Sequence, residues 1–88
     1  MADDDWRLHG QEDWLAGRPL RWFRWWSDRE SWDHDHCEFC WAKISTRLHG
    51  RADAEEAYVT ADDEQTWICA PCFADLHDRF RWTVVEPR

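Results

Sequence analysis

Four cysteines carry the clearest chemistry in this chain. They stand as Cys37-Glu38-Phe39-Cys40 and Cys69-Ala70-Pro71-Cys72, with 28 residues between Cys40 and Cys69 and no cysteine elsewhere. A Cys-x2-Cys pair places two thiolates on one tight turn, close enough to share a metal ion. Two such pairs complete a tetrahedral shell of four sulfurs, which suits zinc and leaves no position open for water. The sequence therefore predicts one structural Zn2+ held by Cys37, Cys40, Cys69 and Cys72.

A second metal site has weaker support. Asp33-His34-Asp35-His36 runs straight into Cys37. In an extended segment His34 and His36 fall on one face. A pair of imidazoles lacks the ligand count of a site, and four cysteines already saturate zinc. Contacts around the sulfurs, or plain exposure, are the expected roles. His9, His49 and His77 stand apart, and no nucleophile–base set can be assembled from them.

The elements that must position the cysteines follow from local pattern. Trp41 to Ser45 reads as a short strand after the first pair. Tyr58-Val59-Thr60 and Thr66-Trp67-Ile68 are rich in strand formers, and Ala61 to Gln65 joins them as a turn, which predicts a hairpin. Pro71 suits a helix start. Phe73, Leu76, His77 and Phe80 recur at helical spacing, predicting an amphipathic helix from about Pro71 to Arg81. Its N-terminus would face Cys69 and Cys72 with free N–H groups and the positive end of the helix dipole, which favours thiolates. Thr46 to Ala57 is polar and reads as a loop, as does Ser27 to Trp32. Trp82, Val84 and Val85 are expected to finish the core.

The N-terminal third reads as an aromatic-rich extension, residues 1–33, packing on a zinc module of residues 34–88 to make one compact domain. Residues 1–5 are expected to fray. A short helical turn is expected over residues 10–17, with acidic residues early and Gly17 as its stop, docked through Trp6, Leu8, Trp14 and Leu15. Pro19 opens the extended stretch Leu20-Arg21-Trp22-Phe23-Arg24-Trp25-Trp26, a strand by composition. Arg18, Arg21 and Arg24 interleave with Trp22, Trp25 and Trp26. These six residues are the candidate partner surface, able to grip an acidic partner or stack on bases. The plainer reading is a strand covering the core, with arginine stems lying over tryptophan rings.

Composition bounds the function. A single domain of 88 residues buries only about 60–65% of its unfolded surface, so a metal staple is welcome. Nine tryptophans supply large apolar area per position, and core filling is their default role. The net charge is −8, and four thiolates with Zn2+ would make it about −10. That balance opposes general nucleic-acid binding, which needs a basic footprint. The charge is blocked: residues 17–29 sum to +3 and residues 52–66 to −6. The acidic start reads unlike a secretory signal, and no apolar run approaches membrane-spanning length. The cytoplasm, where thiols stay reduced, is the expected compartment, with no membrane partner.

The order of Cys turn, short strand, hairpin and Cys pair at a helix start resembles the treble-clef zinc finger. The match covers about residues 34–82. It implies a small α+β fold with the first pair on a zinc knuckle and the second on the first turn of the C-terminal helix. The stretches Gln11 to Leu15, Trp32 to Cys40 and Trp67-Ile68-Cys69 also look like a group of short bacterial proteins, a resemblance that implies no activity. Two other families share part of the pattern. Rubredoxin holds iron with two Cys-x2-Cys pairs at similar separation, but glycine follows its knuckles where Trp41 and Phe73 stand here. Trp67-Ile68-Cys69-Ala70-Pro71-Cys72 is similar to the thioredoxin active-site stretch, with Ile68 intervening between the tryptophan and the first cysteine. Treble clefs serve several functions, so the fold does not choose among them.

The resulting expectation is a non-enzymatic protein with structural zinc, acting as a small acidic protein-interaction module. Its partner would be another protein or a second copy, through the Arg/Trp stretch and the acidic 53–64 region. The alternatives are single-stranded nucleic-acid binding through the same arginines and tryptophans, and thiol–disulfide or rubredoxin-like redox chemistry.

Overall fold

The computed structural model describes residues 7–8, 10–48 and 50–85. The frayed start expected for residues 1–5, the docking of Trp6, and His9 and His49 fall outside these residues. The chain forms a small mixed α/β structure. In order it contains α1 (Glu12–Leu15), β1 (Pro19–Arg24), β2 (Asp35–His36), β3 (Lys43–Ile44), β4 (Glu56–Thr60), β5 (Trp67–Ile68), α2 (Ala70–Phe80) and β6 (Thr83–Val85). Strands β4 and β5 pair antiparallel, as the hairpin pattern predicts. Strands β2 and β3 make a separate antiparallel pair flanking the first Cys turn. No described helix is long and apolar enough to cross a membrane.

The main sheet has the order β5-β4-β1-β6. Strand β1 runs antiparallel to β4 and parallel to β6. The aromatic stretch expected in an N-terminal extension therefore supplies an interior strand. Its neighbours come from the far end of the chain, so residues on both sides of position 33 build one sheet. The parallel β1–β6 pairing was not legible in Thr83–Val85, because three residues with two valines carry no register signal of their own.

Alternation along β1 sends its side chains to two faces. Leu20 and Trp22 lie opposite Thr60 and Tyr58. On this face α2 packs: Phe73 stacks on Tyr58 with ring centroids 3.9 Å apart. Leu76 and Phe80 are buried beneath it, and Phe80 also meets Phe39 and Trp82. The helix ends at Arg81, which adopts the left-handed conformation and donates its N–H to His77 O. Segment α1 is tied to that end. Gly17 N donates to Phe80 O at 2.7 Å, and Trp82 Nε1 donates to Leu15 O at 3.0 Å. Gly17 sits at φ 75°, a region where a side chain is penalised, so its role as the stop of α1 has a backbone cause.

The second face carries Arg21, Phe23 and Trp67, with Phe23 and Trp67 rings 6.2 Å apart. Beyond β1 the chain turns inward at Trp25, which is 1% exposed, whereas its neighbour Trp26 is 65% exposed. Trp25 Nε1 donates to Asp35 Oδ2 at 2.9 Å, so the buried ring keeps its polar atom satisfied. The Arg47 guanidinium lies over the Trp25 ring at 5.5 Å. The same guanidinium donates to Arg29 O at 2.8 Å, to Trp32 O at 3.0 Å and to Ser27 O. Segment 27–32 is irregular in backbone but pinned by this fork.

These neighbours predict opposite outcomes for adjacent tryptophans. Trp25→Ala should cost about 3–5 kcal/mol, the usual range for emptying a large core site. Trp26→Ala should change stability by less than about 0.5 kcal/mol. Urea unfolding at fixed zinc concentration measures both, and equal losses would contradict this placement of the two rings.

Candidate metal centre

The first pair sits on a tight turn closed by Trp41 N donating to Cys37 O at 3.1 Å and Cys37 N donating to Ala42 O at 2.9 Å. Trp41 takes φ 66°. A bulky residue in this left-handed region is costly by about 1–2 kcal/mol, and glycine is the usual occupant. The turn is therefore imposed by its surroundings, with the β2–β3 ladder on either side. The second pair lies at the start of α2. Cys69 is the N-cap, with extended backbone, and Cys72 falls in the first turn with Pro71 between them. Cys37 also forms an isolated bridge with Trp67, which draws the knuckle against the end of the hairpin.

These contacts bring the four sulfurs within 4.8 Å of one another. Cys40 Sγ and Cys69 Sγ are 3.5 Å apart. A tetrahedral zinc with Zn–S bonds near 2.3 Å requires sulfur–sulfur edges of about 3.8 Å, so the cluster fits the ion with small adjustments. It does not fit a disulfide across Cys40 and Cys69, whose sulfurs would need to approach to about 2.05 Å. Cys37, Cys69 and Cys72 are buried, and Cys40 is half-buried. Among the described residues this is the one group of three or more His, Cys, Asp or Glu side chains arranged to hold a metal.

Donors already point at the sulfurs. Phe39 N and Cys69 N each reach Cys37 Sγ at 3.4 Å. Arg7 Nη1 reaches Cys72 Sγ at 3.5 Å and pairs with Asp75 at 3.1 Å. Four thiolates around Zn2+ carry net charge −2, and Arg7 brings a compensating positive charge to that edge. Nothing in the local sequence marks Arg7 for this role, because it lies 65 residues from Cys72.

The ionisation pattern shows how the sulfurs share charge. Hydrogen bonding from Cys72, aided by backbone N–H groups and opposed by burial, lowers Cys37 to about 4. Burial raises Cys69 to about 12, and the Cys37 charge adds to the rise. Cys72 is also pushed up, first by donating its thiol hydrogen to Cys37 and then by burial. One thiolate is favoured. Burial is the main cause that keeps Cys69 neutral and the hydrogen bond to Cys37 the main cause that keeps Cys72 neutral, with the Cys37 charge adding to both. A divalent cation at the centre reverses that relation and lets the sulfurs ionise together.

The other predicted residues fall into place around this centre. His34 and His36 do share a face, with rings 4.8 Å apart, and His34 Nδ1 pairs with Asp33 at 2.7 Å. They are not part of the metal cluster. The Arg/Trp stretch does not present one continuous surface. Trp25 is buried, Trp22 donates Nε1 to Glu56 at 3.1 Å, and Trp26 is exposed. Arg18 pairs with Asp62 at 2.7 Å and Asp63 at 3.3 Å, Arg21 with Glu64 at 3.1 Å, and Arg24 with Glu55 at 3.5 Å. The Asp62 hydrogen bond raises the Arg18 guanidinium and holds the Asp62 carboxyl below the ordinary range. The two candidate partner surfaces, basic and acidic, are thus paired largely with each other. Arginine–tryptophan stacking occurs instead at Arg47 over Trp25, inside the region expected to be a loose loop.

No protein-family model, no curated protein and no solved structure matches this chain. The four-cysteine cluster is compatible with metal binding on its geometry alone.

Metal binding should be strongly pH-dependent. Cys69 and Cys72 are raised well above neutral pH and hold their protons without metal. Zinc must displace those protons, so affinity rises with pH and falls on acidification. At pH 7 at least two protons should leave per ion, read from calorimetric enthalpies in buffers of different ionisation heat. Proton release near zero would contradict this electrostatic account.

Proposed function

We propose that this chain is a treble-clef protein with one structural Zn2+, without catalytic activity of its own, that serves as a small acidic protein-interaction module. The observation that carries the proposal is the closed cluster of four sulfurs, all within 4.8 Å and joined at a knuckle and a helix start. The hairpin of β4 and β5 lies between the two cysteine pairs in sequence, as the treble-clef order requires. Zinc in such a shell is saturated by protein ligands and leaves no site for activated water. Its contribution is folding free energy, about 10–16 kcal/mol in comparable sites. That matches or exceeds the whole net stability of a domain this size, about 4–13 kcal/mol.

The alternatives draw less support. A thioredoxin-like pair needs its first cysteine at the helix start to be the easily ionised one. Here Cys69 is raised to about 12, and Cys37 is the lowered thiol. A base-stacking platform needs free arginines and exposed rings in series. Here Arg18, Arg21 and Arg24 face carboxylates, and Trp25 is buried.

Two measurements test the proposal. In the zinc-loaded protein all four thiols should resist alkylation until a chelator is added. Rapid reaction confined to Cys69 and Cys72, together with disulfide reductase activity, would favour the redox reading. Affinity capture from the source cell should recover one protein stoichiometrically and independently of nuclease. Salt-sensitive recovery of nucleic acid would reject the protein-partner reading.

A further inference from the structure

We propose that an open groove on the sheet face opposite α2 binds a basic segment of a partner protein, seating a lysine or arginine side chain against Trp26 and Trp32. The inference rests on the interaction-module reading and names the surface and the chemistry of its ligand. The groove has a volume of about 400 Å³ and lies between the pinned 27–32 segment and the β4–β5 turn. Phe23 and the nearly buried Trp67 line its base, and Trp26 and Trp32, 65% and 50% exposed, stand at its rim.

Its charge is one-sided. Asp28, Asp35, Asp63 and Glu64 line it, against the single guanidinium of Arg29. Asp63 and Glu64 are partly neutralised by Arg18 and Arg21. Asp28 and Asp35 form no ion pair among the described residues. Asp35 Oδ2 instead accepts the indole N–H groups of Trp25 and Trp32, at 2.9 and 3.0 Å. With no cationic partner among the described residues, the Asp28 and Asp35 carboxylates are open to a cation brought by another molecule. Indole faces attract the same cation through their quadrupole.

The groove is also built in advance. Arg47 holds the backbone of Ser27, Arg29 and Trp32, and Asp35 orients the Trp32 ring. Little ordering remains to be done on binding, which favours affinity. Charge separates the occupants. Nucleic-acid phosphates would meet the carboxylates of Asp28 and Asp35, which have no ion pair among the described residues, beside the one lining guanidinium of Arg29. A second copy of this chain brings net charge −8. A basic peptide is complementary to both the charge and the rings.

The test uses the full zinc-loaded chain and a tetra-arginine peptide, titrated calorimetrically near physiological salt, with a tetra-glutamate peptide as the opposite charge. Asp28→Asn and Trp26→Ala should each weaken tetra-arginine binding about tenfold. Asp78→Asn makes the same charge change on α2, on the other side of the sheet, and should leave binding within about twofold. Tetra-glutamate should not bind. Equal weakening by Asp28→Asn and Asp78→Asn, with Trp26→Ala silent, would reduce the effect to non-specific attraction and overturn the groove. Failure of the wild-type protein to bind tetra-arginine would overturn it as well. Either failure leaves the interaction-module reading standing if capture still recovers a stoichiometric protein partner.

Discussion

Four sulfurs gathered in a buried space cannot all be charged unless a cation sits among them. This constraint governs the rest of the molecule. Without the cation, burial and the Cys37 thiolate together hold Cys69 and Cys72 in their neutral forms. With it, the knuckle, the end of the hairpin and the first turn of α2 are joined at one point. The strands around that point, β2, β3 and β5, have two residues each. Strands this short bury too little to hold a register by themselves. The Trp41 turn, with its unfavourable φ, also persists only if something fixes both of its ends.

The long-range pairing of the sheet is a second constraint. Strand β1 enters between β4 and β6. Arg18, just before it, and Arg21 within it reach the acidic turn that follows β4, and Arg24 reaches Glu55 just before β4. The charge blocks of the sequence therefore have a structural use. The +3 segment of residues 17–29 lies beside the −6 segment of residues 52–66 because β1 and β4 are neighbours. Exposed ion pairs of this kind contribute little stability each, roughly 0–1 kcal/mol. Their larger effect is to disfavour other registers, since a slip of one residue would turn Arg21 to the opposite face, away from Glu64. Once the arginines are engaged in this way, the unmatched charge that remains is acidic. Part of it collects beside the exposed rings of Trp26 and Trp32.

Local signals carried most of what the sequence revealed. The Cys spacing, the β4–β5 hairpin, the α2 periodicity and the Gly17 stop are short-range features, and each appears within a residue or two of its expected place. The shared face of His34 and His36 followed from strand alternation alone. Contacts between distant segments were not legible. Arg7 reaches Cys72 across 65 residues, and Arg47 reaches Ser27 across 20. No periodicity links such pairs. The Arg/Trp alternation of β1 suggested one surface, yet strand geometry splits it between two faces, and the bend after Arg24 buries Trp25. Thr46 to Ala57 looked unconstrained because polar composition does not show that one arginine in it caps three carbonyls. The parallel strand β6 was hidden for a related reason: its partner lies more than sixty residues earlier, at Pro19 to Arg21.

The central claim is that one metal ion closes the cysteine cluster and thereby holds the fold. Native mass spectrometry of the purified chain, paired with elemental analysis, tests it most directly. The account predicts one zinc per chain, with Cys37, Cys40, Cys69 and Cys72 all unmodified, and loss of cooperative unfolding when the metal is chelated. A folded chain holding less than about half an equivalent of zinc, with its thermal transition unchanged by chelator, would contradict it.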